Sequence, residues 1–214
     1  MIEVDKISYQ IGNFSLRELS LKLEKGEYGT LMGRTGSGKT TLIEVIIGLK
    51  PVQSGRILIN DIDVTHERPA ARGIGYVPQD AALFSTMTIR RHLSFALDIR
   101  KIPAKQVEER VNELADWLGI TSLLDRYPIG LSGGERQRVA IGRALSFHPS
   151  ILLLDEPLSA VDEETRGEMY ELLRRVHREK GVTVLHVTHN PNEADELADV
   201  QFVLRNGIIE RKHL

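Results

Sequence analysis

The stretch YGTLM-GRTGSGKT, residues 28–40, decides the fold. Residues 28–32 are predicted as a strand that runs straight into a glycine-rich loop. That loop, Gly33-Arg34-Thr35-Gly36-Ser37-Gly38-Lys39-Thr40, fits the pattern G-x-x-x-x-G-K-[ST]. Its glycines let the backbone curl so that successive N–H groups point at phosphate oxygens. A helix starting near Gly38 adds its positive N-terminal end. Lys39 reaches the β and γ phosphates of a nucleotide, Thr41 donates to the α phosphate, and the Thr40 hydroxyl is a hard oxygen ligand for Mg²⁺. A chance match in a surface turn would lack the strand before the loop and the apolar helix, residues 41–49, after it.

Outward from the loop, strands alternate with helices. Ile2, Val4 and Ile7, then Leu19, Leu21 and Leu23, repeat with period two, as strands with one buried face do. Lys25-Gly26-Glu27 is a turn. The helix after the loop is predicted to end at Leu49-Lys50-Pro51. A strand at 56–59 follows a turn at Ser54-Gly55, and another at 74–77 is closed by Pro78. Val107, Val111, Leu114 and Leu118 share one helical face, with Gly119 just past its end. Residues 151–154 form a continuous apolar run, the pattern of a strand buried on both faces of a parallel sheet. A helix over about 165–180 is capped by Gly181. A second buried strand covers 182–187. Asn190-Pro191 opens a helix, and 201–209 is a hairpin turning at Asn206-Gly207. The predicted fold is α/β, with a mostly parallel core sheet, an N-terminal antiparallel β portion and an inserted helical lobe. The whole chain, 1–214, reads as one domain, with 1–79 and 147–214 as its core and about 80–146 as the lobe.

Two further sites carry chemistry. The apolar run ends in Asp155-Glu156, and parallel sheets place ligands at the carboxyl ends of their strands. Asp155 is expected beside the cation held by Thr40, and Glu156 is placed to orient and deprotonate an attacking water. Leu131-Ser132-Gly133-Gly134-Glu135 precedes a predicted helix at 136–145, with Ser132 as N-cap and the glycines exposing N–H groups. One nucleotide needs one cradle. A second cradle is explained economically if Ser132, Gly133 and Gly134 serve a nucleotide bound by another copy, in a closed head-to-tail dimer.

These residues resemble the ATP-binding cassette family of transporter ATPases. Leu131 to Glu135 with Arg136-Gln137 is similar to that family's signature motif, and the likeness runs in the family's order over nearly the whole chain. It implies a P-loop NTPase fold, ATP and Mg²⁺. It implies that Gln79, in Tyr76-Val77-Pro78-Gln79, contacts Mg²⁺ or the attacking water and lies in the loop that couples to membrane subunits. Asp162, in Leu158-Ser159-Ala160-Val161-Asp162, belongs by resemblance to the loop that touches the partner chain, and His189, in Val187-Thr188-His189, to the γ phosphate. The family's adenine-stacking aromatic is replaced here by Ile11, with Tyr9 and Phe14 as alternatives. Arg34 also departs from the small or neutral residue of many relatives, and its charge points to solvent or phosphate. The run from Arg72 to Gln79, followed by Leu83-Phe84, most resembles importer ATPases of the small-anion and carbohydrate type. Many of those add a C-terminal β domain, which a chain ending at Leu214 is expected to lack.

Of 214 residues, 41% are hydrophobic, enough for a sizeable core. A net charge of −2 gives no sign of a nucleic-acid partner. Cysteine is absent, which excludes disulfide and thiol chemistry. The N-terminus lacks a signal-peptide pattern, and no apolar stretch approaches the ~20 residues that span a bilayer. The expected partners are therefore integral membrane transporter subunits, a second copy of the chain and a solute-binding protein, with the chain peripheral on the cytoplasmic side of the membrane. Two rivals share the loop: a soluble ATP-driven protein of repair or translation, and a small phosphotransferase or GTPase. No second cassette, coiled-coil or zinc insertion, basic tail or Asn-Lys-x-Asp motif supports them. His66, His92, His148, His177, His186 and His213 read as structural, and the charges at 136–143 and 174–178 as solvated helix faces.

Overall fold

A computed structural model describes residues 1–12 and 14–212; His213 lies outside them. The amphipathic start forms a long antiparallel hairpin, β1 (Ile2–Ile11) and β2 (Phe14–Leu23). After β3 (Tyr28–Gly33) and α1 (Lys39–Ile46), β4 (Ser54–Ile59) pairs with β1, and short β5 (Ile62–Asp63) with β4. This sheet has the order β2-β1-β4-β5.

The second sheet contains β3, β6 (Ile74–Val77), β7 (Ile151–Asp155), β8 (Thr183–Val187), β9 (Val200–Arg205) and β10 (Ile208–Lys212). Its order is β10-β9-β3-β8-β7-β6, and only the β9–β10 hairpin is antiparallel. Between β6 and β7 the chain runs through α2 (Ile89–Ile99), α3 (Ala104–Leu118) and α4 (Gly133–Leu145). Helix α5 (Glu163–Lys180) joins β7 to β8, and α6 (Pro191–Leu197) joins β8 to β9.

Two hydrophobic clusters sit on opposite faces of this second sheet. Along β7, Leu152 and Leu154 enter the cluster built with α2 to α5, while Ile151 and Leu153 enter the one built with α1 and the antiparallel sheet. Both faces are covered, so the strand needs no polar alternation.

Several boundaries differ from the sequence reading. Helix α1 starts at Lys39 and ends at Ile46, because Gly48 adopts φ +83° there. A side chain at Gly48 would also meet the Arg72 guanidinium, which donates to the carbonyls of Val45, Ile46, Thr65 and Glu67. Ser54-Gly55 is no turn but the start of β4, at an irregularity in its pairing with β1. Helix α4 begins at Gly133 rather than Arg136, and α5 at Glu163, each one residue after a capping side chain.

Candidate active site

Gly33 closes β3, and the loop turns by a bond from Ser37 N to Arg34 O. Gly38 stands at the N-cap of α1 with φ +103°. A Cβ there would lie 2.7 Å from Leu16 Cδ2 and 2.8 Å from Phe14 Cζ, so only glycine fits the curl and its β2 neighbours together. Helix α1 has no side-chain cap and no acidic residue in its first turn. Its first N–H groups are therefore free for an anion. Lys39 is buried to 5% exposure, and its Nζ donates to Gly33 O at 2.9 Å and Arg34 O at 3.2 Å. The ammonium thus lies over the loop, while Arg34 and Thr35 are exposed at its rim and Thr41 is half-buried in the first turn.

Thr40 Oγ1 donates to Asp155 Oδ1 at 3.3 Å, joining the loop to the end of β7. Burial pushes the Asp155 carboxyl above its ordinary range, against the Thr40 hydrogen bond and the Lys39 charge, and the Glu156 and Glu44 carboxylates add to the rise. Among the described residues no three His, Asp or Glu side chains form a self-contained metal site. A hydroxyl beside a carboxylate suits Mg²⁺, which takes few protein oxygens and completes its shell with phosphate and water.

Glu156, just past β7, has φ +46°, a conformation that costs an L-residue about 1–2 kcal/mol. Its N–H donates to Val187 O at 2.9 Å. Its Oε2 accepts from Gln79 Nε2 at 3.4 Å and lies 3.2 Å from His189 Nδ1. Three side chains from the carboxyl ends of β6, β7 and β8 therefore meet at one carboxylate oxygen. Such local strain, held by bonds from both neighbouring strands, fits a group whose aim matters.

Below His189 is a buried polar line, of which the sequence reading singled out only His186, as structural. Tyr28 Oη is 2.9 Å from His186 Nδ1, and His186 Nε2 approaches Glu193 Oε2 to 3.3 Å without the alignment of a hydrogen bond. Glu193 accepts from Thr188 Oγ1 at 2.6 Å, and Thr188 Oγ1 accepts from Asn190 N. Burial opposes charge on Glu193, yet the contacts from His186 and Thr188 hold its carboxyl below the ordinary range. The only signals in the sequence are a histidine inside an apolar strand and an acid in a first helical turn.

At the second cradle, Ser132 accepts from Glu135 N, and Glu135 Oε2 accepts from Ser132 N, a complete capping box. Among the described residues no hydrogen bond joins Ser132, Gly133 or Gly134 to the phosphate loop, and none of the three lines the groove walled by residues 32–37, His189 and Arg205. Asp162 caps α5, accepting from Thr165 N at 3.0 Å. Of the three side chains considered for adenine, Tyr9 is buried in the core, Phe14 rests on Gly38 and Ile11 is 60% exposed. Arg138 and Arg143 are not solvated face charges: Arg138 donates to Leu118 O, and Arg143 to Ala81 O and Ala82 O.

A family model described as ABC transporter matches residues 16–159. The chain belongs to the ABC transporter family. It is 44% identical over 207 residues to the molybdate/tungstate import ATP-binding protein WtpC of Thermococcus kodakarensis, covering 97% of this chain and 63% of that one. It is 42% identical over 211 residues to the sulfate/thiosulfate import ATP-binding protein CysA of Thermosynechococcus vestitus, covering 98% and 63%. The chain thus spans about three fifths of the length of these relatives. A dimeric ATP-binding cassette solved in a post-hydrolysis state with ADP and Pi superposes with a TM-score of 0.88 at 28% identity, covering 100% of this chain and 99% of that one. The ABC cassette fold, with its antiparallel N-terminal sheet and mixed core sheet, is the fold of this chain.

Proposed function

We propose that the chain binds and hydrolyses ATP and so powers import of a small oxyanion through partner transmembrane subunits. The observation that carries the reading is the meeting of Gln79, Glu156 and His189 beside the Thr40–Asp155 contact. The import proteins named for molybdate, tungstate, sulfate and thiosulfate support the substrate class. No described helix is long and apolar enough to cross a membrane, and in this reading the chain docks on its transmembrane partners from the cytoplasmic side.

In this reading residues 33–41 wrap the phosphates, and Lys39 exchanges its carbonyl contacts for β and γ oxygens. Thr40 and Asp155, with Gln79, hold Mg²⁺, which when bound screens the charge of the phosphates. Glu156 accepts a proton from the attacking water, which Gln79 and His189 help to place. Ser132, Gly133 and Gly134 complete the site of a second copy. Residues 80–146 act as the lobe that meets the membrane subunits, with 1–79 and 147–214 as the nucleotide-binding core.

The test is Mg²⁺-dependent release of phosphate from ATP by the purified chain, paired with Glu156→Gln. Loss of turnover by about 10²–10⁴-fold with nucleotide binding kept is expected. In sedimentation, Glu156→Gln with ATP should run as a dimer. Undiminished turnover refutes the role of Glu156, and a monomer refutes the shared site.

A further inference from the structure

Ala81 and Ala82 follow Gln79 by two and three positions, and both have positive φ, +60° and +43°. Neither is glycine, so two successive residues occupy a region that L side chains disfavour. Local bonds alone are modest: Ala81 N donates to Pro78 O, and Ala82 N to Asp80 Oδ1. The stronger restraint comes from another element. Arg143, in the last turn of α4, donates from Nη2 to Ala81 O at 2.8 Å and from Nη1 to Ala82 O at 2.7 Å. A planar fork of fixed donors matches two consecutive carbonyls as a flexible ammonium does not. On the far side, Phe84 N donates to His92 Nε2 at 2.9 Å, which ties the same turn to α2. The turn is thus held at both ends, and Gln79 at its start points to Glu156.

We propose that Arg143 is a positioning residue for Gln79: it holds the strained turn that delivers the carboxamide to Glu156. The inference rests on the ATPase reading above. It also links the two ends of α4. Ser132, Gly133 and Gly134 lie at the start of that helix and Arg143 in its last turn, about 15 Å of helical backbone apart. A load on the second cradle therefore reaches Gln79 without passing through the phosphate loop.

The test compares Arg143→Met, Arg143→Lys, and Arg143→Met combined with Ala81→Gly and Ala82→Gly. Glycine accepts positive φ freely and should keep the turn without its clamp. Arg143→Met is expected to lower kcat by about 10–100-fold, with KM for ATP changed less than about twofold because residues 33–41 are untouched. The lysine variant should fall between, and the glycine pair should restore most of kcat. Amide exchange over residues 79–84 should quicken in Arg143→Met and slow again in the combination. Unchanged kcat and exchange in Arg143→Met overturn the proposal. So does a loss that the glycine pair fails to rescue, or one that lowers kcat only in step with melting temperature. If Arg143→Met does not fold, Arg143→Lys decides: native kcat and exchange overturn the proposal, and reduced kcat with quickened exchange supports it. An unmodified chain that fails to hydrolyse ATP refutes the ATPase reading instead, and the exchange arm still reads the clamp.

Discussion

Helices α1 and α4 both carry glycine at their N-termini, Gly38 as the N-cap of α1 and Gly133 as the first residue of α4, yet the two ends are finished differently. At α1 no side chain caps the helix, no acid sits in the first turn, and Lys39 brings a positive charge. At α4 a serine and a glutamate satisfy each other's backbone partners, and a carboxylate already occupies the positive end of the dipole. The first end is built to take a multiply charged anion by itself. The second is stable by itself and has only part of its donor capacity left. That division is what a shared site needs: one chain binds, and the other closes over what is bound.

The comparison can be tested from its largest consequence down. Lys39→Ala should cut turnover by about 10³-fold, measured as phosphate release, because the charge that develops loses its nearest cation. Ser132→Asp should keep the cap, since aspartate serves as well as serine at that position. Its added charge should nevertheless repel a partner's phosphates and lower turnover by about 10²-fold. Nucleotide affinity of the isolated chain should stay within about twofold; equal loss of affinity would mean that α4 serves its own nucleotide.

Gly133 and Gly134 should separate in thermal unfolding. A Cβ at Gly133 would lie 2.0 Å from Ala160 O, whereas one at Gly134 meets only Thr165 Oγ1, at 3.8 Å. Gly133→Ala should cost about 1–3 kcal/mol, and Gly134→Ala should be neutral or slightly stabilising.

The smallest effect concerns Asp155. Its folded carboxyl holds its proton to a higher pH than the unfolded chain does, so ionisation weakens the fold once pH exceeds that raised value. Asp155→Asn should raise Tm at neutral pH by about 2–4 °C. The gain should shrink as pH falls through the raised pKa towards the ordinary aspartate value. A gain that grows on acidification would reverse the sign assigned to Asp155.

The phosphate loop and the acid pair were legible because each is a local pattern: glycines before a lysine, and carboxylates after an apolar run. The sheet was legible from β7, whose unbroken leucines require cover on both faces. The start of α4 was misread because glycine is a poor helix former, yet Ser132 and Glu135 outweigh that preference with a capping box three residues apart. Gln79 and His189 had no local signal and were assigned by resemblance alone. Arg143, His186 and Glu193 were hidden for a different reason. A lone arginine on a helix looks solvated until the carbonyls of Ala81 and Ala82 arrive from 62 and 61 residues away. A histidine in a strand looks like filler until Tyr28 and Glu193 close on its two nitrogens.

The alternation of side chains along β7 has a mechanical consequence. Leu42, Ile43, Val45 and Ile46 root α1 in the cluster on one face of the central sheet, while Val139, Ala140, Ile141, Ala144 and Leu145 root α4 in the cluster on the other. The two glycine-bearing helix ends thus stand on separate foundations with the sheet as a common diaphragm. A small tilt of the α2–α4 unit would shear only the packing on its own face. Packing on the two faces is thus separate, and the cluster beneath the phosphate loop shares no residue with the one beneath α4.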